Sequence, residues 1–307
     1  MHQLQGAAAP VRYTGMESPV TDAHLDLRER GPHVARPPIV VAPGAVPPPV
    51  SRSVEPVVDA DRADDPYAMA TAELYELLAT GHWEHTGAAL RELLRDVDPT
   101  AGPIVDLGAG TGIGLPYLLA AVPDAEIHAI EPSRAMRTAL HTRLLLDPSL
   151  QGRVTVDPRQ LAAALPERAS AVVLSAVLGH LDDAERTTLW RFAAERMPAG
   201  APTVVELLPP YRPTVIERVR YAVRQVGRFT YEGWQAGAPA GERTMRWTMT
   251  YRVLDGDVLV SERSVVSTYR CWSLDDLAVE VAPHGLIATE HPIADAVVLH
   301  TRPSPFE

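Results

Sequence analysis

The sequence predicts a doubly wound α/β fold: a mostly parallel, seven-stranded sheet with helices on both faces. Three observations predict it. Short apolar runs at residues 104–107, 126–130, 154–156, 171–174 and 203–207 alternate with helical stretches, a spacing that requires βαβ crossovers. A glycine-rich turn, Gly108-Ala109-Gly110-Thr111-Gly112, stands directly between the first run and a helix, where open α/β sheets bind ligands. Two more strands, at residues 286–290 and 296–300, come after a helix at 274–281 and bring the sheet to seven.

Composition narrows the function classes. The chain has 307 residues, enough for one large α/β domain with appendages, and its hydrophobic fraction of 46% and charged fraction of 22% are those of a folded globular protein. All 28 basic residues are arginine, and the net charge of −11 repels a phosphate backbone, so nucleic acid is not an expected partner. Cys271 is the single cysteine, which rules out an internal disulfide and any cysteine-based metal site, so no metal is expected and a reducing cytoplasm is the expected location. The first residues lack the layout of a signal peptide and no run of 18 apolar residues occurs, so no membrane association is expected.

Along the chain, ten prolines fall within the first 60 residues, and residues 1–62 are expected to form a mostly irregular arm in which Ile39-Val40-Val41 is the segment to dock. Residues 63–307 form the main domain. Leucines at three- and four-residue steps between 65 and 96 predict two helices broken near Gly81. Residues 211–270 read as an insertion: a helix over 215–226, then two strands flanking the Asp255-Gly256 turn. In the first of these, Met245, Trp247, Met249, Tyr251 and Val253 alternate with polar residues, so this antiparallel hairpin has one face to bury.

The order of residues at the first turn decides among cofactors. A dinucleotide fingerprint needs a third glycine where Ile113 stands, which removes the main support for a nicotinamide-dependent oxidoreductase. The order Asp106-x-Gly108-x-Gly110-x-Gly112 instead resembles the first motif of class I S-adenosylmethionine-dependent methyltransferases, whose sheet is Rossmann-like. An acidic residue ahead of the glycines attracts the cofactor's α-ammonium. The resemblance extends over roughly residues 65–300. It implies that Asp106, Gly108, Ala109, Gly110, Thr111 and Gly112 cradle S-adenosylmethionine, that Glu131 in Ile130-Glu131-Pro132-Ser133 grips the ribose with Pro132 and Met136 nearby, and that Asp157 lies near the adenine amino group. It also implies that the segment from Ala171 to Leu181, including Ser175 and His180, borders the reactive methyl group, and that the insertion is a substrate cover or the contact of a possible homodimer.

Methyl transfer needs an aligned, unprotonated nucleophile and little else from the protein. His180, past the carboxyl end of the fourth strand, is either the general base or a loop-orienting hydrogen bonder. Glu206 either holds a substrate ammonium or satisfies a helix end, and Tyr75 is either a lid over the cofactor, as the position of Tyr67, Tyr75 and Trp83 in related folds implies, or a core tyrosine. Tyr231 and Trp234, around Glu232, form either a cation-binding wall or a packing corner. The function expected is methyl transfer to nitrogen or oxygen of a small molecule or peptide in natural-product biosynthesis; residues 231–234 and 247–253 are similar in look to peptide amino-terminal N-methyltransferases of the daptide type. A catalytically silent cofactor-binding scaffold is the alternative.

Overall fold

A computed structural model describes residues 71–291 and 296–301. The chain divides into two units, Met1–Arg62 and Ala63–Glu307, and the described residues belong to the second. Ile39-Val40-Val41 and the rest of the expected arm lie outside the described residues, as does Tyr67 of the main domain.

The first helix, α1 (Ala72–Leu93), runs unbroken through Gly81. Glycine inside a helix costs about 1 kcal/mol relative to alanine, yet both halves of α1 are anchored, so packing overrides the local signal for a break. Leu74 and Leu78 bury against Tyr251 at one end, while Trp83, Leu90 and Leu94 enter the main core at the other. The chain then alternates as βα units: β1 (Ile104–Leu107), α2 (Leu115–Ala121), β2 (Ile127–Ile130), α3 (Arg134–Leu146), α4 (Pro148–Gln151), β3 (Val154–Asp157), α5 (Leu161–Ala164), β4 (Ala171–Leu174), α6 (Asp183–Glu195) and β5 (Thr203–Glu206). These are the expected strands to within a residue at each end. β1 and β4 are buried along their whole length, as continuous apolar strands covered on both faces must be.

After β5 the structure departs from the expectation. Residues 216–226 form a strand, β6 (Ile216–Val226), succeeded by β7 (Phe229–Pro239), β8 (Thr244–Asp255) and β9 (Val258–Arg270). Together they make a separate four-stranded antiparallel sheet in the order β6-β7-β8-β9. Apolar residues at 215, 219, 222, 223 and 226 mimic a helical stripe, but the segment is rich in valine, and Gly227 at φ +59° turns it straight into β7. Cross-strand hydrogen bonds to β7, which the periodicity of the segment itself does not encode, decide its state. The expected hairpin about Asp255-Gly256 is the β8–β9 half of this sheet.

The chain ends with α7 (Leu274–Val281), β10 (Leu286–His291) and β11 (Ala296–Thr301). The large sheet has the order β10-β11-β5-β4-β1-β2-β3, with β11 antiparallel to both neighbours. This is the doubly wound, mostly parallel seven-stranded sheet expected. Its order reverses between β1 and β4, and the carboxyl ends of these adjacent strands open the crevice that such topologies use for ligands. Among the described residues no helix is long and apolar enough to cross a membrane.

Candidate active site

The glycine-rich turn is pinned to β2 by two bonds, since the N–H groups of Gly108 and Ala109 donate to the carbonyl of Ile130 at 2.8 and 3.2 Å. Gly108 has φ +72°, and a Cβ there would lie 2.4 Å from Val177 Cγ2, so both backbone and packing demand glycine. Gly110, at φ +58°, differs: a Cβ on it meets nothing closer than 4.0 Å, which leaves one side of the loop open for a ligand. From behind, Arg143 of α3 donates to the carbonyl of Thr111 and grips both carboxylate oxygens of Glu76 on α1 at 2.6 and 2.7 Å. Trp83 lies against Gly114 and stacks on Tyr117 at 6.2 Å, so α1 is fastened directly over the loop.

Two acidic side chains meet at this turn. Glu131 is buried, and its carboxylate accepts from the N–H of Gly110 at 2.8 Å and from that of Ser133 at 2.6 Å. An ionised carboxylate is acceptor-only, the chemistry that a sugar hydroxyl requires. Asp106 is 4% exposed, with no hydrogen-bonding partner for its side chain among the described residues. Burial first, and then the charge of Glu131, push its pKa up to about 7. Two adjacent carboxylates with one lacking a counter-charge, beside a loop that exposes backbone, form a donor set suited to a cationic amino-acid group attached to a ribose. The residues therefore fit S-adenosylmethionine.

A second cluster sits at the ends of β4 and β5. Ala176 holds φ +59°, a strained conformation for a residue with a side chain, and on either side of it Ser175 turns towards Glu206 while Val177 packs on Gly108. Glu206 is buried and accepts from the Ser175 hydroxyl in a very short contact, from the Thr86 hydroxyl at 3.4 Å and from His82 Nε2 at 3.0 Å. Burial works to raise its pKa, but the bonds from His82, Ser175 and Thr86 outweigh that and hold it below the usual carboxylate range. Tyr75 lies between the two clusters: burial pushes its pKa up to about 12, the negative charges of Glu206, Glu76 and Glu131 add to the shift, and the Trp83 indole opposes it.

The remaining expected residues fall less uniformly. His180 ends the turn after β4 with its ring edge-on to Tyr269 at 5.1 Å, and although part of the residue is exposed, desolvation of the ring lowers its pKa, leaving it neutral at pH 7. Met136 is buried in the first turn of α3 and Pro132 is half-buried beside it. Asp157 does not stand open to a ligand. Arg159 clasps its carboxylate through Nε and Nη2 and holds its pKa down. Tyr231 and Trp234 are not brought together: three residues apart on a regular stretch of β7, they point to opposite faces. Tyr231 packs towards α1 with Leu74, Leu78 and Tyr251. Trp234 lies under Arg218 at 5.0 Å and Arg220 at 5.9 Å, and its indole N–H donates to Glu232, which also binds Arg220 and Arg252. Glu232 is thus already paired with cations of its own sheet.

Sequence reasoning missed His82, Thr86 and Tyr269. A faint signal existed for the first two, because Tyr75, His82 and Thr86 are spaced by seven and four residues and so share one helix face. Tyr269 had no local signal. It reaches the site from β9, and a Cβ on Gly179 would lie 2.3 Å from its Cζ.

The sheet order, the glycine turn after β1 and the acidic residues at the ends of β1 and β2 are the arrangement of the class I S-adenosylmethionine-dependent methyltransferase fold. Residues 105–200 match the protein family described as a methyltransferase domain. Solved structures with the same fold include DesVI of Streptomyces venezuelae, at 20% identity and a TM-score of 0.61, covering 77% of this chain and 100% of that one. They also include CalS10, an amino pentose methyltransferase from Micromonospora echinaspora involved in calicheamicin biosynthesis, at 19% identity and a TM-score of 0.58, covering 72% and 92% of the two chains. The sugar N-methyltransferase KedS8 from Streptoalloteichus is similar at 20% identity and a TM-score of 0.58, covering 76% and 94%. No curated protein matches the chain.

Proposed function

We propose that the protein transfers a methyl group from S-adenosylmethionine to the amine nitrogen of a small molecule or peptide in natural-product biosynthesis. The observation that carries this reading is Glu206, an ionised, buried carboxylate at the carboxyl end of β5, within electrostatic reach of the same Tyr75 hydroxyl that senses Glu131. A carboxylate so placed attracts an ammonium-bearing acceptor to the strand ends where the methyl group is presented. Two of the solved structures sharing the fold act on amino sugars or sugar nitrogen by their descriptions, which favours nitrogen over oxygen.

Bound S-adenosylmethionine supplies an electrophilic methyl group on a sulfonium, so the chain's own work is binding, orientation and proton handling. Asp106 holds the α-ammonium, Glu131 accepts the ribose hydroxyls, and Gly108, Gly110 and Gly112 allow the backbone to come close. Tyr75, on the anchored helix α1, covers the cofactor and excludes water from the transfer path. His180, neutral at pH 7, takes part in orienting the acceptor past β4. A peptide amino terminus is the special case in which the acceptor ammonium adjoins an extended chain.

Incubation with methyl-labelled cofactor and three acceptors, an amino sugar, benzylamine and trialanine, is expected to yield demethylated cofactor and an acceptor heavier by one methylene. Tight binding of S-adenosylmethionine with no transfer to any of the three would overturn the amine reading.

A further inference from the structure

Helix α1 aims an imidazole at the Glu206 carboxylate. We propose that His82, held through Nε2 by Glu206, is the proton acceptor that delivers the acceptor nitrogen in its unprotonated form; this rests on the amine reading above.

Glu206 is an acceptor only, because it is ionised, and it is met by three side chains: Ser175 from the end of β4, and Thr86 and His82 from α1. The two hydroxyls donate to it, and the 3.0 Å contact then requires His82 to donate its Nε2 proton as well. That bond sets the tautomer and leaves Nδ1 as the basic nitrogen. The titratable groups facing the pair are Tyr75 on α1 and Tyr269 on β9, both within electrostatic reach of Glu206, and both neutral at pH 7 because burial raises their pKa. No second cation competes for Glu206 among the described residues, so the carboxylate is available to stabilise an imidazolium. Burial alone lowers the pKa of His82, but the bond and charge of Glu206 outweigh it and raise it above the ordinary histidine value. The side chain is 41% exposed, unlike the 9% of its partner, which gives a captured proton a route to solvent.

An acceptor ammonium gives one proton to Nδ1 of neutral His82, leaving a free amine and an imidazolium paired with Glu206. The amine lone pair forms the new N–C bond to the methyl carbon as the C–S bond breaks, its electron pair staying on sulfur. The methylated ammonium leaves with its charge, and the imidazolium returns its proton to water through its exposed edge. A structural role alone would have Glu206 and His82 merely fasten α1 to β5, and the two roles separate experimentally.

His82→Gln keeps a side-chain N–H for Glu206 but has no basic nitrogen. With the amino sugar, benzylamine and trialanine as acceptors, kcat/KM of His82→Gln is expected to fall by about 10²-fold, the usual worth of a general base. The acidic limb of its pH profile is expected to vanish, while the melting temperature and the affinity for S-adenosylmethionine match the parent. Nitrogen-15 histidine spectra should report the Nε2–H tautomer, and Glu206→Gln should lower the pKa of His82. A His82→Gln profile superimposable on that of the parent overturns the proposal and leaves methyl transfer standing. A His82 resonance whose pKa is unchanged in Glu206→Gln overturns it independently. A parent protein that binds cofactor and turns over none of the three acceptors overturns the amine reading, and the proton-acceptor role with it.

Discussion

Asp106→Asn is expected to stabilise the protein without cofactor while weakening cofactor binding. In the absence of a cationic ligand, the pKa of Asp106 is raised from 3.8 to about 7, chiefly by burial. Below pH 4 the carboxyl is protonated in both folded and unfolded chains and has no effect. Between those values the folded chain binds a proton that the unfolded chain has lost, so stability falls as pH rises, and it levels off above pH 7. At about 1.4 kcal/mol per tenfold change in proton affinity, the ionised group costs the fold roughly 2 kcal/mol at pH 5 and about 4 kcal/mol at pH 8. Asparagine brings its own desolvation at both pH values, so the diagnostic quantity is how far its advantage over aspartate grows between them, about 2 to 3 kcal/mol. For a domain of this size that is about 5 to 10 °C in melting temperature. Thermal melts at both pH values, with and without S-adenosylmethionine, measure it. If the Asp106→Asn variant gains equally at pH 5 and pH 8, the buried uncompensated charge is refuted. If its cofactor-induced shift is as large as the parent's, so is the assignment of that charge to the α-ammonium.

Three other substitutions probe the same geometry. Gly108→Ala drives a Cβ to within 2.4 Å of Val177 at a φ of +72°, and is expected to lose about 1–3 kcal/mol of stability along with most cofactor affinity, read by melting and by titration calorimetry. Trp83→Ala removes the ring that presses on Gly114 and Tyr117, and chemical denaturation should report a loss of about 3–5 kcal/mol. Glu206→Gln removes a carboxylate whose pKa is lowered in the fold. Its stability deficit relative to the parent should therefore be present at neutral pH and shrink in acid, as the parent's own carboxylate protonates; a deficit that stays constant from neutrality into strong acid would count against an ionised Glu206.

The large sheet and the cofactor turn were legible in the sequence because their signals are local. Each strand of the parallel sheet is a short apolar run between helical stretches, since strands covered on both faces need no partner's pattern to be recognised. Asp106, the glycines and Glu131 stand at fixed offsets from those strand ends, so their chemistry could be read from order alone. The antiparallel sheet had a weaker signal. Residues 216–226 carry a helical stripe and strand-forming residues at once, and only pairing with β7 chooses between them. Gly81 spoke for a break in α1, and burial of Leu74 and Leu78 on one side and Leu90 and Leu94 on the other overrode it.

What the sequence by itself determined was the α/β architecture, the S-adenosylmethionine turn and the acidic residue that closes each of the first two strands, because all of these depend on spacing within a few residues. Only the tertiary structure decided that Tyr231 and Trp234 face apart, that Arg159 occupies Asp157, and that His82 meets Glu206. The physical reason is the same in each case. Which face a side chain takes, and which distant charge it meets, depends on elements that become neighbours only when the chain has folded.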